Sequence, residues 1–419
     1  MEDSKSEPGL LRRLFDRAVE VADPIRILAG HLPPKPKGRV VVICAGKASA
    51  RMAEAVEAAW GPCEGLVITR YGYARPCAGI EIVEAAHPVP DFAGVAATRR
   101  MLDLVSGLGT GDFVLALISG GGSALLCAPV AGLTLADKQA VSRDLLASGA
   151  PISEVNGVRK QLSAVKGGRL AAAAHPARML ALMISDVPGD APGDIASGPT
   201  VGDAGDAARA AEILARWNVT PPPAVAAHLA RGGAPVPPGD RRLARVENKV
   251  IAAPSQSLAA AANLARAEGI EVRLLGDAIE GEACRIAADH AARALKARRD
   301  RTGDRPLLIL SGGELTVTRH GDGSGGPNAE YALALALALR GAPGIHALAC
   351  DTDGVDGGAE VAGAQVFPDT LARARAAGLD PGAALARNDS HGFFAALGDQ
   401  VVTGPTLTNV NDFRALLIR

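Results

Sequence analysis

RVVVICAGKASARMAEAVEAAW, residues 39–60, decides the fold. Arg39 to Cys44 is a β-branched run, and Ala45-Gly46-Lys47-Ala48-Ser49 closes it. An alanine-rich helical pattern then runs to Trp60. Strand, glycine-bearing turn and helix in that order form the unit from which α/β sheets are built. The succession continues outward. Strands are expected at Gly65–Thr69, Ile80–Ala85, Phe113–Ile118 and Leu180–Ile184, with a helix over 92–107. Further on, Lys249–Ala253, a helix at 255–268 and Glu271–Leu275 make a new βαβ unit, and Leu307–Leu310 and Ile345–Cys350 are later strands. Strands alternating with helices predict an α/β fold with mostly parallel sheet. Ala332–Leu339 alternates Ala and Leu, formally a strand period, but both are strong helix formers behind an Asn-Ala-Glu start, so a buried helix is expected.

A chain of 419 residues is long enough for two or three domains. The Pro/Gly-rich stretch Pro221–Asp240 reads as the linker. Lys and Arg total 44 against 45 Asp and Glu, which argues against a nucleic-acid or anionic-membrane partner. The 6 cysteines, at 44, 63, 77, 127, 284 and 350, show no CxxC spacing, so neither a disulfide scaffold nor structural zinc is expected and a reducing cytoplasm fits. Met1–Pro8 is polar and acidic without an apolar signal core, and no apolar run reaches the roughly 18 residues of a membrane span. A cytoplasmic enzyme with a small-molecule substrate follows, with a homodimer left open.

In open parallel sheets ligands bind beyond the carboxyl ends of strands, and the polar and glycine-rich segments fall there. Ser119-Gly120-Gly121-Gly122-Ser123 lets backbone N–H groups converge on an anion, a phosphate cradle. Lys47 stands at a strand-to-helix turn, where an ammonium can reach a transferring phosphoryl group. This is no Walker A loop, because position 41 is Val41 and position 48 is Ala48. Asp186, Asp190 and Asp194 share a Pro/Gly-broken loop, and Asp351, Asp353 and Asp356 lie in DTDGVDG. Each set suits either Mg²⁺, with Asp186 and Asp190 favoured over Asp194, or turns capped by their own aspartates. Gly312, Gly313 and Glu314 end another strand. Gly321, Gly323 and Gly326 make a formal GxGxxG, which fits either a dinucleotide site or a glycine-rich lid over phosphates through Gly325, Gly326 and Asn328. Arg159, Lys160, Lys166 and Arg169 form a basic cluster fit to grip a substrate carboxylate or phosphates. TGPTLTN, residues 403–409, offers backbone donors and hydroxyls, with Thr406 and Asn409 the chosen ligands. A general base is not singled out; His391 and several aspartates qualify.

These segments together resemble the class II glycerate 2-kinases, which are unrelated to the P-loop kinases. AGKAS (45–49), HPVPD (87–91), LISGGGSALL (117–126), VRKQLSAVKGGRLA (158–171), SDVPGDAPGDIASGPT (185–200), SGGELTVT (311–318), GGPNAE (325–330), CDTDGVDG (350–357), NDSHGFF (388–394) and TGPTLTNVNDF (403–413) carry the resemblance over nearly the whole chain. It implies two α/β domains with mostly parallel sheets: a Rossmann-like one at 1–235 and a leucine-rich accessory one at 241–419, with the site in the cleft between them. It implies ATP- and Mg²⁺-dependent phosphorylation of D-glycerate at its 2-hydroxyl, giving 2-phosphoglycerate. Lys47 matches the lysine proposed to act on the phosphates. The family's lid commonly reads GGRNQE with a second catalytic arginine; Pro327 and Ala329 depart from it here, leaving Arg159, Lys160 or Lys166 to substitute. The rival reading is a hydroxypyruvate reductase holding NAD(P)H at Gly321–Gly326.

Overall fold

The computed structural model describes residues 7–301 and 303–419, so the first six residues of the polar leader lie outside it. The chain divides into two compact units, Pro24–Ile251 and Met1–Asp23 with Ala252–Arg419.

In the first unit, β1 (Val40–Ala45), β2 (Glu64–Arg70), β3 (Ile80–Ala85), β4 (Phe113–Ile118), β5 (Arg178–Ile184) and β6 (Val246–Ala252) form one sheet in the order β3-β2-β1-β4-β5-β6. The pairs β2–β3, β1–β2, β1–β4 and β4–β5 are parallel. Every residue of β1 and β4 is buried. That explains their continuous apolar runs: a parallel sheet covered by helices on both faces has no solvent side to alternate with. The strand order reverses between β1 and β4, and a crevice opens at such a switch point beyond the strand ends. Beside the sheet, helices Leu135–Ala147, Ile152–Gln161, Ala207–Arg216 and Pro223–Ala230 enclose a satellite core of Val141, Leu145, Val155, Val158, Ile213 and Val225.

In the second unit, β7 (Glu271–Gly276), β9 (Leu307–Gly312), β11 (Ile345–Asp351), β12 (Gly363–Val366), β13 (Gln400–Val401) and β14 (Asp412–Ile418) form a sheet ordered β13-β12-β11-β14-β9-β7. A small parallel pair joins β8 (Gly281–Glu282) to β10 (Leu315–Thr316). The α/β class holds in both units, but the parallel pairing expected of this second sheet holds only for β7–β9. β14 runs antiparallel to both β9 and β11, and β12 pairs antiparallel with β11 and β13. The reading of β9 and β11 as successive strands of like direction is sound, since both oppose β14. What it lacked was the last strand of the chain, inserted between them. Helix Pro327–Leu339 forms as expected over the Ala/Leu run, begins with Pro at a position that needs no N–H, and is buried along almost its whole length.

The division differs from the expected 1–235 and 241–419. Helix Glu7–Glu20 places Leu10, Leu11, Leu14, Phe15 and Ala18 in one core with Leu258, Ala261 and Ala262 of helix Pro254–Ala267, so it belongs to the second unit. The stretch 221–240 is no free linker. It contains helix Pro223–Ala230, and Val236 N–H donates to the Gly167 carbonyl at 2.9 Å while Asp203 N–H donates to the Val236 carbonyl at 2.8 Å.

Candidate active site

The turns after β1 and β4 are built against each other. Lys47 N–H donates to the Gly120 carbonyl at 2.8 Å, and Ala48 N–H donates to Ser119 Oγ at 3.0 Å. Gly46 has φ +133°, and a Cβ there would lie 2.2 Å from Ser119 Oγ, so only glycine permits the contact. Gly121 has φ +79°, and a Cβ on it would stand 3.0 Å from Lys47 Cγ and 3.2 Å from His87 Cδ2 and Nε2. The stem of Lys47 and the imidazole of His87 therefore lie over the middle of the glycine run. The helix that follows is only one turn, Gly122–Leu125, so the backbone amides and Lys47 carry more of any anion attraction than a helix dipole does.

The loop after β5 folds back onto this cradle. Ala196, Ser197 and Gly198 take successive left-handed conformations with φ 51°, 62° and 62°. Ser197 Oγ lies 2.8 Å from Ser123 Oγ and donates to Asn156 Oδ1 at 3.3 Å. A Cβ on Gly122 would come within 2.7 Å of Ala196 Cβ, so glycine is again required by close approach. On the same loop Asp186 is half-buried. Asp190 has φ +54°, and its Oδ1 is buried without a hydrogen-bond donor. Asp194 Oδ1 is 4.0 Å from Lys160 Nζ. A bare carboxylate oxygen on the loop that folds back onto the glycine turn fits a hard cation that keeps water and phosphate as its other ligands. Among the described residues no three His, Cys, Asp or Glu side chains gather into a metal cage.

The basic cluster stands behind the 196–198 turn. Lys166 is buried, and its ammonium donates to the Ala196 carbonyl at 3.3 Å. Burial first, and then the charges of Lys138, Arg159 and Lys160, push its pKa well below the ordinary lysine value. Lys160 donates to Asp203 at 2.6 Å, which matches its charge. Arg169 donates to the carbonyls of Lys160, Lys166 and Ala234 at 2.7, 3.4 and 2.9 Å. Arg159 reaches Ser142 Oγ at 3.4 Å, and burial lowers its pKa. The structure thus brings Lys47, Ser119–Ser123, Asp186, Asp190, Arg159, Lys160 and Lys166 onto one unit. The reading from sequence missed His87 as a neighbour of Lys47, and it missed Asn156, Ser197 and Lys138. Their only sequence signal is position inside or near motif segments; the fold-back of a left-handed turn leaves no periodicity to find.

The remaining candidates lie on the second unit and are engaged internally. Gly326, at the start of helix Pro327–Leu339, abuts Asp356, whose carboxylate accepts from Asn328 N–H at 2.9 Å and Ala329 N–H at 2.8 Å. A carboxylate of the chain itself thus occupies the anion position of that helix. Asn328 Nδ2 donates to Asp412 at 2.7 Å, and burial pushes the Asp412 carboxyl up to about 6 although Arg414 stands 3.0 Å away. Arg414, fully buried, donates to the Gly312 and Gly313 carbonyls at 2.7 Å each. Gly313 has φ +103°, while Glu314 is exposed. Asp351 accepts from Asp353 N–H at 2.9 Å and Asp353 from Val355 N–H at 2.8 Å, which is the capped-turn pattern. Thr406 Oγ1 donates to the Thr352 carbonyl at 2.6 Å, and Asn409 Oδ1 accepts from Asn411 N–H at 3.2 Å. The glycines of the 321–326 loop pack against the chain on their Cβ side. A Cβ on Gly321 or Gly323 would meet the Arg387 carbonyl at 2.4 and 2.7 Å, and one on Gly325 would meet the Asn388 carbonyl at 2.8 Å.

A glycine-rich turn with a lysine above it, at the switch point of a mostly parallel sheet, gives an α/β protein whose site has the make-up of an anion cradle. Comparison with known proteins gives the family. Residues 10–230 match the domain of unknown function DUF4147, and residues 307–412 match the MOFRL family. A Thermotoga maritima protein named D-glycerate 2-kinase is 37% identical over 98% of both chains. A Thermotoga maritima crystal structure titled glycerate kinase superposes with a TM-score of 0.86 at 35% identity, covering 98% of this chain and 99% of that one. An Agrobacterium vitis protein provisionally named hydroxypyruvate reductase is 52% identical over 98% of this chain and 94% of its own. The chain belongs to the class II glycerate 2-kinase family.

Proposed function

We propose that the protein phosphorylates D-glycerate at its 2-hydroxyl with ATP and Mg²⁺, giving 2-phosphoglycerate. The observation that carries this reading is Lys47 lying over Gly121 in a cradle closed by backbone contacts between the turns after β1 and β4. Phosphoryl transfer asks a protein chiefly for positioning and for charge near the moving phosphoryl group. The Ser119 and Gly122 amides donate to the carbonyls of Ala45 and Ser119, so the amides of Gly120, Gly121 and Ser123 are the ones that orient the phosphates, and the Lys47 ammonium stabilises the charge that grows on them during transfer. Asp190, with its unmatched oxygen, and Asp186 on the same loop would hold the Mg²⁺, whose chemistry is neutralisation of phosphate charge. The hydroxyls of Ser123 and Ser197 and the amide of Asn156 suit an acceptor rich in hydroxyl groups, and the basic cluster suits its carboxylate.

The glycines at 321–326 support the kinase over the reductase. They do not sit in the turn immediately after a strand, where a dinucleotide fold needs them, and their Cβ side packs against the chain. The turn after β1 reads AGKAS, without the glycine spacing of a dinucleotide fold. A coupled assay with ATP, Mg²⁺, D-glycerate and enolase, with no mutase added, tests the reading. Enolase-competent product is expected. ATP consumption without it would place the phosphate elsewhere, and NADH oxidation with hydroxypyruvate in the absence of ATP turnover would replace the reading with the reductase.

A further inference from the structure

Five basic side chains, Lys138, Arg159, Lys160, Lys166 and Arg169, meet beside the 196–198 turn, and their charges are matched very unequally. Lys160 has Asp203, and Arg169 has three backbone carbonyls. Lys166 has one carbonyl, that of Ala196 at 3.3 Å, and Arg159 has one distant hydroxyl, Ser142 Oγ at 3.4 Å. Lys138, on helix Leu135–Ala147, is 6% exposed, and its ammonium has no oxygen or nitrogen hydrogen-bond partner. The acceptor in its neighbourhood is the thiol of Cys127, a poor one. Among the described residues, none of Lys138, Arg159 and Lys166 has an ion pair with a carboxylate. An isolated buried ammonium is strongly unfavourable, and packing alone would be served better by an apolar side chain. Three such cations in mutual reach are sensible when a ligand brings the missing negative charge.

We propose that Lys138, with Arg159 and Lys166, forms the pocket that receives the carboxylate of the acceptor, and that Lys138 is the residue that makes the site require an acid rather than a neutral polyol. This rests on the glycerate reading above. The geometry favours the acceptor's carboxylate over the donor's phosphates. The pocket is separated from the glycine cradle by a single turn, whose Ala196 carbonyl faces Lys166 and whose Ser197 hydroxyl faces Ser123. An acid held on one side of that turn has its hydroxyls next to Ser197 and Asn156. Burial lowers the pKa of Lys138 in the ligand-free protein, and a carboxylate beside it favours the charged ammonium.

The test is calorimetric titration of D-glycerate into the wild-type protein and into Lys138→Met, which keeps the aliphatic stem. Affinity for D-glycerate should fall about tenfold or more, the loss expected for a charge-assisted contact. MgATP affinity should stay within about twofold, and Lys138→Arg should recover most of the glycerate affinity. Unchanged D-glycerate affinity in folded Lys138→Met overturns the proposal. Should that variant fail to fold, thermal stabilisation of the wild-type protein by D-glycerate is compared with that by glyceramide, which has the same hydroxyls and no charge. Stabilisation by the acid alone supports the pocket; equal stabilisation overturns it. If the wild-type protein does not phosphorylate D-glycerate, the kinase reading falls by itself. The pocket is then probed with inorganic phosphate: binding lost in Lys138→Met supports it, and the absence of any binding overturns it.

Discussion

Lys47 donates its backbone N–H to the carbonyl of Gly120 at 2.8 Å, so the candidate catalytic lysine and the candidate phosphate loop are fixed to each other before any ligand arrives. Lys47→Ala should lower kcat by about two orders of magnitude or more while leaving the melting temperature within a few degrees. Near-normal turnover by a folded variant would remove Lys47 from the reaction.

Gly46→Ala tests the cradle rather than the charge. The new methyl group would sit at φ +133° and 2.2 Å from Ser119 Oγ, so the two turns must separate. A loss of about 2 kcal/mol or more in denaturant unfolding is expected, with activity falling further than stability explains. A variant as stable as the wild type would show that the turn after β1 can relax.

Asp190→Asn keeps the shape of the side chain and removes its charge. If the unmatched Oδ1 serves Mg²⁺, the concentration of Mg²⁺ giving half-maximal rate should rise by about tenfold or more. An unchanged Mg²⁺ profile, with unfolding unaffected, would assign Asp190 to its turn alone.

His290 gives a pH prediction independent of the reaction. Its Nδ1 lies 2.8 Å from the Tyr331 hydroxyl, and burial, assisted by the charge of Arg414, lowers its pKa to about 4. The unfolded chain takes up this proton near the ordinary value of about 6.5. The native state therefore binds fewer protons than the unfolded one between these values, and stability falls as pH drops through that window and levels off below it. Between pH 7 and 5 the wild-type protein should lose up to about 2 kcal/mol more than His290→Phe in denaturant titrations. Equal losses would show that His290 is protonated in the native protein.

The sheet of the first unit was legible because both its faces are covered: β1 and β4 had to be uninterrupted apolar runs, and they read as such. β14 escaped notice because Arg414 breaks its run. That arginine is tolerated since Asp412 and the carbonyls of Gly312 and Gly313 engage both terminal nitrogens of its guanidinium, only Nε being left without a hydrogen-bond partner. The glycine loop and Lys47 were legible from their place at strand ends. Lys138 was not, because a lysine on a helix reads as solvent-facing, and nothing local reports that the fold buries it beside Cys127, Arg159 and Arg169. The glycines at 321–326 misled in the opposite way. Glycine permits close backbone approach, and sequence cannot say whether a ligand or, as here, the Arg387–Ser390 segment is what approaches.

The left-handed run Ala196-Ser197-Gly198 is one short piece of backbone with a cation on one flank and a hydroxyl network on the other. Whatever draws Lys166 toward a ligand slackens its hold on the Ala196 carbonyl, and that carbonyl cannot move without carrying Ser197 along. On the function proposed above, the affinities of acceptor and donor would be a linked pair, each altered by the same factor when the other is bound.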